Sequence, residues 1–328
     1  MSKDLIFSSI KTIAFLIVLS GCSSTKTENL PEDYEGVSLS ENEADRSKKS
    51  INISADDNPD AYGPDLNQNS DYQSIKVREP VIGIVLGPGL YRTSIAVGIL
   101  KELEKANIRP HIITGFGMGA VVSFIYAKSK NAEILEWELF NFYRKVKRVT
   151  PYSKNWKKIF VEYFSNRYGD IKLETTELTF LFPALKRDKK MKLSYIRRGK
   201  FKELLSSLVG LSKSTCSQRY CNAMLSSEFN LSSIKDLGAD ILIFIDSMGN
   251  RVNVDTSGGH VLGIYNKIKG VLDSGKMNFD IKVEITEPSD SIDNLGSVSE
   301  FIKLGEKRGR LLISELNDGI KLWKENHR

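Results

Sequence analysis

Histidine and cysteine are both scarce, with three of each in 328 residues. The histidines (His111, His260 and His327) are far apart in the chain, and none lies close to Cys216 or Cys221. A zinc site needs three or four protein ligands, so no metal is expected. Long apolar runs are missing too. The run at 13–19 falls far below the roughly 18 or more residues that cross a bilayer as a helix. The Gly-x-Ser-x-Gly pattern that exposes a nucleophile at a strand-to-helix turn is also absent. Its nearest approach is Gly115-Phe116-Gly117-Met118-Gly119, with glycine at the centre. Aspartate followed by glycine occurs once, at Asp318-Gly319.

The start of the chain reads as a leader. Lys3, Asp4 and Lys11 precede the apolar run, which ends in Leu19-Ser20-Gly21-Cys22. A short charged start, an apolar core and small residues make a secretory signal. The ending resembles the lipobox of bacterial lipoproteins, and an ordinary signal peptide ending near a cysteine is the alternative. The resemblance implies cleavage before Cys22 and an acylated thiol there, which anchors a protein at a membrane without a spanning helix. Ser23 then directs the protein to the outer membrane under the sorting rule for such lipoproteins, with the domain facing the periplasm. In that oxidising compartment Cys216 and Cys221 are expected to pair.

Residues 23–78 read as a tether. They carry 12 acidic and 6 basic residues, are rich in Ser and Asn, and show no sustained periodicity. Such a composition buries too little apolar surface to offset the entropy of ordering. The leader carries +1 and the tether −6, so about +11 of formal charge falls on residues 79–328. The basic runs 144–148, 154–158, 186–192 and 197–202 all fall in one third of that domain. They are either solvated faces or a basic surface for anionic lipid headgroups. Nucleic acid is not an expected partner in this compartment.

From Pro80 the pattern changes. "VIGIVLG" (81–87) is a continuous apolar run, as in a strand covered on both faces. Ile95, Ile99, Leu100, Leu103 and Ile108 come next at helical spacing, then a short strand "HIITG" and a helix from "AVVSFIYAKSK". "ADILIFIDS" (239–247) and "KVEITEP" (282–288) read as later strands, and Leu312, Leu316, Ile320 and Trp323 share one face of a closing helix. This order predicts an α/β fold, a mostly parallel sheet sandwiched by helices, as one domain over 79–328.

The stretch "GPGLYRTSIAVGILKELEKANIRPHIITGFGMGAVVSFIYA" (87–127) resembles the opening of patatin-like phospholipases. "LGADILIFIDS" and "FIKLGEKRGRLLISEL" look like that family's later strand and final helix, so the resemblance spans about residues 80–320. It implies an oxyanion hole from a glycine-rich stretch with a basic residue, here Gly87, Gly89 and Arg92. It also implies a nucleophile elbow at Gly115, Gly117 and Gly119, and a serine–aspartate dyad with the aspartate in Asp-Gly-Gly or Asp-Gly-Ala. The serine position is Gly117, and Asp246 and Asp255 are poor approximations to the base. Asp318 belongs to the closing helix. Pro88 lacks an N–H to offer an oxyanion. Gly117 suits an elbow that is strained for any residue with a Cβ.

The expected function is thus a lipid-anchored protein with an inactive patatin-like domain that binds membrane lipid, an acyl chain or an envelope protein, with Arg92 gripping a phosphate or carboxylate. An active hydrolase with a substitute nucleophile is the alternative. Thr93, Ser94 and Thr114 lie near the two turns, but no activating base stands at a recognisable spacing. His111 reads as a surface or edge residue. A dinucleotide site is disfavoured, because Arg92 replaces the third glycine and no acidic residue ends the second strand. No cofactor is expected.

Overall fold

The computed structural model describes residues 78–187, 191–217, 219–226, 229, 231–274, 277–285 and 291–327. The expected leader, Cys22 and the tether through residue 77 lie outside the described residues, as do 188–190 of one basic run and 286–288 of the last expected strand. Arg78, expected at the end of the tether, already belongs to the folded domain. Its guanidinium donates to both carboxylate oxygens of Asp240 at 2.8 and 2.9 Å and lies over the Trp323 ring.

A seven-stranded sheet forms the centre. Its first strand, β1 (Ile82–Leu86), lies between β2 (Ile112–Gly115) and β6 (Ile241–Asp246), parallel to both. Every residue of these three strands is buried, which is why their sequences are apolar without alternation. Beyond β6 comes β7 (Ile281–Glu284), also parallel. On the other side β2 pairs in parallel with β3 (Thr179–Lys186). Two short strands, β4 (Leu193–Ile196) and β5 (Tyr220–Asn222), run antiparallel to β3. The architecture is α/β, with a mostly parallel central sheet flanked by helices.

Helix α1 (Ile95–Lys105) joins β1 to β2, and α2 (Met118–Ser129) leaves β2 through the glycine turn. The first ten residues of α2 are all buried, as an apolar-all-round helix must be. Two longer helices come next, α3 (Ala132–Val146) and α4 (Lys154–Tyr168). Asn131 caps the first by accepting the Ile134 N–H at 2.9 Å, and Ser153 caps the second by accepting that of Trp156 at 3.2 Å. Shorter helices α5 (Lys202–Leu208) and α6 (Ser232–Lys235) precede β6, and α7 (Gly259–Asp273) precedes β7.

The closing helix α8 (Val298–Asn326) packs along α1. Contact there is backbone against backbone: a Cβ on Gly98 would overlap the Ile302 carbonyl, and one on Gly305 that of Ile95. Leu312 and Leu316 are fully buried, and Ile320 and Trp323 pack partly buried against the core. Among the described residues no helix is long and apolar enough to cross a membrane.

Candidate functional site

The two glycine turns meet at the carboxyl ends of β1 and β2, beside the end of β6. In open α/β sheets this is where ligands bind, at the point where the strand order reverses. Gly117 is the centre of the turn from β2 into α2, with φ +57° and ψ −124°. That backbone is strained for a residue with a Cβ. The flanking glycines allow the sharp bend. A Cβ on Gly115 would overlap the Gly119 backbone, and one on Gly119 would stand 2.7 Å from the Leu86 carbonyl oxygen.

The direction a side chain would take from position 117 is occupied. A Cβ there would lie 2.8 Å from the Met224 sulfur and 3.7 Å from the Pro88 Cβ. Met224 is completely buried. Its placement derives from the sheet. β2 covers the first half of one edge of β3, pairing Thr114 with Leu181, and β5 covers the second half, pairing Cys221 with Leu185. β5 therefore lies where β2 would continue if the chain did not turn at Gly117. The Cys216–Cys221 disulfide closes the loop that enters β5. Asn222 then pins the short turn that carries Met224. Its Nδ2 donates to the Leu208 carbonyl at 2.7 Å, and its Oδ1 accepts the Met224 N–H at 3.0 Å. Met224 carried no signal in the sequence, because its role depends on strand register alone.

The other turn is equally filled. Gly87 donates its N–H to the Ile245 carbonyl at 2.8 Å, and Tyr91 and Arg92 donate theirs to the Ile292 carbonyl at 3.0 and 3.3 Å. Pro88 has no N–H to give. Gly89 packs so tightly on the end of β6 that a Cβ would stand 2.6 Å from the Ser247 Cβ. Several donors that a glycine-rich oxyanion loop would aim at a substrate are thus spent on the protein's own carbonyls.

Arg92 is 1% exposed, with its guanidinium over the Phe301 ring at 5.8 Å and against Gly249. It lies inside the domain, under α8 and the loop after β6, rather than at a surface that a headgroup reaches. The three hydroxyls near the turns are buried as well. Thr114 donates to the Leu181 carbonyl at 2.6 Å, and Ser94 shares a hydrogen bond with the Tyr143 hydroxyl at 2.9 Å. Thr93 Oγ1 has no hydrogen-bond partner among the described residues. No carboxylate or imidazole hydrogen-bonds any of the three among the described residues, so none is set up for activation.

The carboxylates named from the sequence have other work. Asp246 is fully buried at the end of β6, where it accepts the Met248 N–H at 2.9 Å and the Lys269 ammonium at 3.1 Å. Burial alone would lower the Lys269 pKa, but Asp246, Glu284 and Asp273 outweigh it and hold the group above its ordinary value. Asp255 is exposed on the loop before α7, and Asp318 is exposed on α8. His111 is exposed at the start of β2, and its Nδ1 accepts the Ile82 N–H at 3.0 Å.

One carboxylate that sequence reasoning missed is Asp293, 5% exposed. It accepts the backbone N–H groups of Asp255, Thr256 and Ser257 at 2.8 to 2.9 Å. It also accepts the hydroxyls of Thr256, Ser257 and Ser291. Burial would raise its pKa, yet these donors hold it well below the usual carboxylate range. Its partners are 36 to 38 residues away, apart from Ser291, so no local motif announces it.

Five surface hollows of about 360 to 750 Å³ involve none of Gly87, Gly89, Arg92, Gly115, Gly117 or Gly119. No group of three or more His, Cys, Asp or Glu among the described residues is arranged to hold a metal ion. Among the described residues, none of the hydroxyls near the two turns is hydrogen-bonded to a base. No protein-family model matches the chain.

Proposed function

We propose that this is a lipoprotein of the bacterial outer membrane, acylated at Cys22, whose α/β domain is a degenerate patatin-like fold that binds membrane lipid without hydrolysing it. The observation that carries the reading is glycine at the centre of the turn, position 117, with the Met224 sulfur 2.8 Å from where a Cβ there would stand. A glycine there removes the attacking oxygen. A buried thioether also crowds the space beside that position. The absence of a hydrogen-bonded base at Thr93, Ser94 and Thr114, among the described residues, supports the same reading.

The lipid half of the proposal rests on charge. The excess of about +11 on the domain suits a protein held beside an anionic membrane surface, where each nearby Lys or Arg contributes about 1 kcal/mol. The test is ester and phospholipid hydrolysis by the purified full chain, free of detergent-borne lipases. No turnover is expected. Turnover that scales with protein concentration and survives repurification would overturn the proposal.

A further inference from the structure

One surface hollow brings together features that the silent turn does not. It measures about 670 Å³ and lies between the end of α3, the turn after β1 and the segment around Asp293. Its floor is aromatic, from Tyr91, Phe140 and Tyr143, and its rim carries Arg144, Lys147 and Arg148. The floor is held rigidly. The Trp156 indole donates to the Tyr91 hydroxyl at 2.9 Å, and Tyr143 meets Tyr91 edge to face.

The three cations are exposed, and among the described residues none takes part in an ion pair. Lys101, Lys130, Lys158 and Arg167 are each paired with glutamate, whereas Lys145, Lys154 and Lys157 are, like the three, in no ion pair among the described residues. Complementing the helix dipole accounts for Arg144, in the last turn of α3. It accounts less well for Lys147 and Arg148, which come after the last helical residue. Two carboxylates share the hollow. Asp293 stays ionised but is held by its hydrogen-bond donors on the 255–257 loop and Ser291, and Asp255 is exposed, so the lining carries three cations against two carboxylates.

We infer that this hollow binds a phosphate ester, with Arg144, Lys147 and Arg148 on the phosphate oxygens and the carbon skeleton against the aromatic floor. Guanidinium groups match phosphate geometry through paired N–H donors, and an apolar floor with a few placed polar groups is the usual make-up of a ligand site. The inference rests on the proposed lipid-binding function and assigns it a place, at the sequence's first basic run rather than at Arg92.

The test uses the full chain carrying Cys22→Ser, so that no acyl anchor contributes. Vesicles of neutral phosphatidylcholine give the background from the retained leader. Arg144→Gln, Lys147→Gln and Arg148→Gln together should weaken binding to phosphatidylglycerol vesicles on the order of 100-fold. Lys192→Gln, Arg197→Gln and Arg198→Gln, an equal loss of charge at β4, should change it less than about 3-fold. All six positions are exposed, and matched unfolding midpoints confirm that both variants fold.

Equal weakening by the two triple variants, or none by the first, would overturn the site while leaving lipid binding standing. Failure of the parent chain to bind phosphatidylglycerol above background would overturn the lipid-binding function itself. Titration with free glycerol phosphate separates the sources. Saturation lost in the first triple variant, without vesicle binding, assigns the hollow to a soluble phosphate ester. Vesicle binding alone assigns it to a lipid headgroup. No response to either would overturn the inference.

Discussion

Gly117 and Met224 together define one sharp, crowded turn. The backbone at 117 keeps the sharp turn that would present a nucleophile, with φ +57°, yet what faces it is sulfur at 2.8 Å from any added Cβ. Methionine is unbranched and adaptable, which suits it to filling an irregular gap. Asp293 is the opposite case, a charged group whose value is local order. Its folded-state pKa lies below the unfolded value near 3.8, so its stabilising contribution is fully present above about pH 4 and is lost as pH falls towards the folded value. Replacing it with Asn removes the charge and strands several donors from the 255–257 loop. The expected loss is about 1–3 kcal/mol at neutral pH, shrinking as acid protonates Asp293 in the parent. Chemical denaturation of both forms at neutral and acid pH checks this, and a loss independent of pH would contradict it.

At the scale of elements, the β1–α1–β2–α2 unit was legible because each piece carries its own signal: unbroken apolar runs for covered strands, helical spacing, and glycine turns between them. The expected strand at 81–87 is Ile82–Leu86, and the one at 239–247 is Ile241–Asp246. The region between was not legible. β3 has Pro183 in its interior, which ordinarily argues against a strand. β5 is only three residues long and exists because β3 extends past the end of β2. The Met224 plug depends on that short strand, and so on the disulfide that closes its entry. The Cys216–Cys221 bridge spans a sequence separation of 5, for which the chain-entropy estimate is about 2 kcal/mol. Reduction, or Cys216→Ser with Cys221→Ser, should lower stability by about that amount and raise hydrogen exchange locally at 220–225. Unchanged exchange there would show that β5 holds Met224 without the bridge.

Across the whole domain, the features behind the proposed inactivity are distributed rather than confined to one glycine. Position 117 carries no side chain, the Met224 sulfur crowds the space beside it, donors of the glycine-rich turn are spent on Ile245 and Ile292, and Asp246 is bound to Lys269. Sequence alone located both turns and the glycine at 117, because those are contiguous patterns. It could not show that Arg92 is enclosed beneath α8 or that Arg144, Lys147 and Arg148 surround an aromatic hollow, since both depend on segments distant in the chain. The most direct measurement is therefore restoration. Gly117→Ser, alone and combined with Met224→Ala to reopen the space, is incubated with a fluorophosphonate probe and assayed for ester turnover beside the parent chain. The account predicts no labelling at position 117 and no turnover in either variant, because a serine there has no base to activate it. Stoichiometric labelling of Gly117→Ser, with turnover that accompanies it, would contradict the account and show that a working base still stands behind the turn.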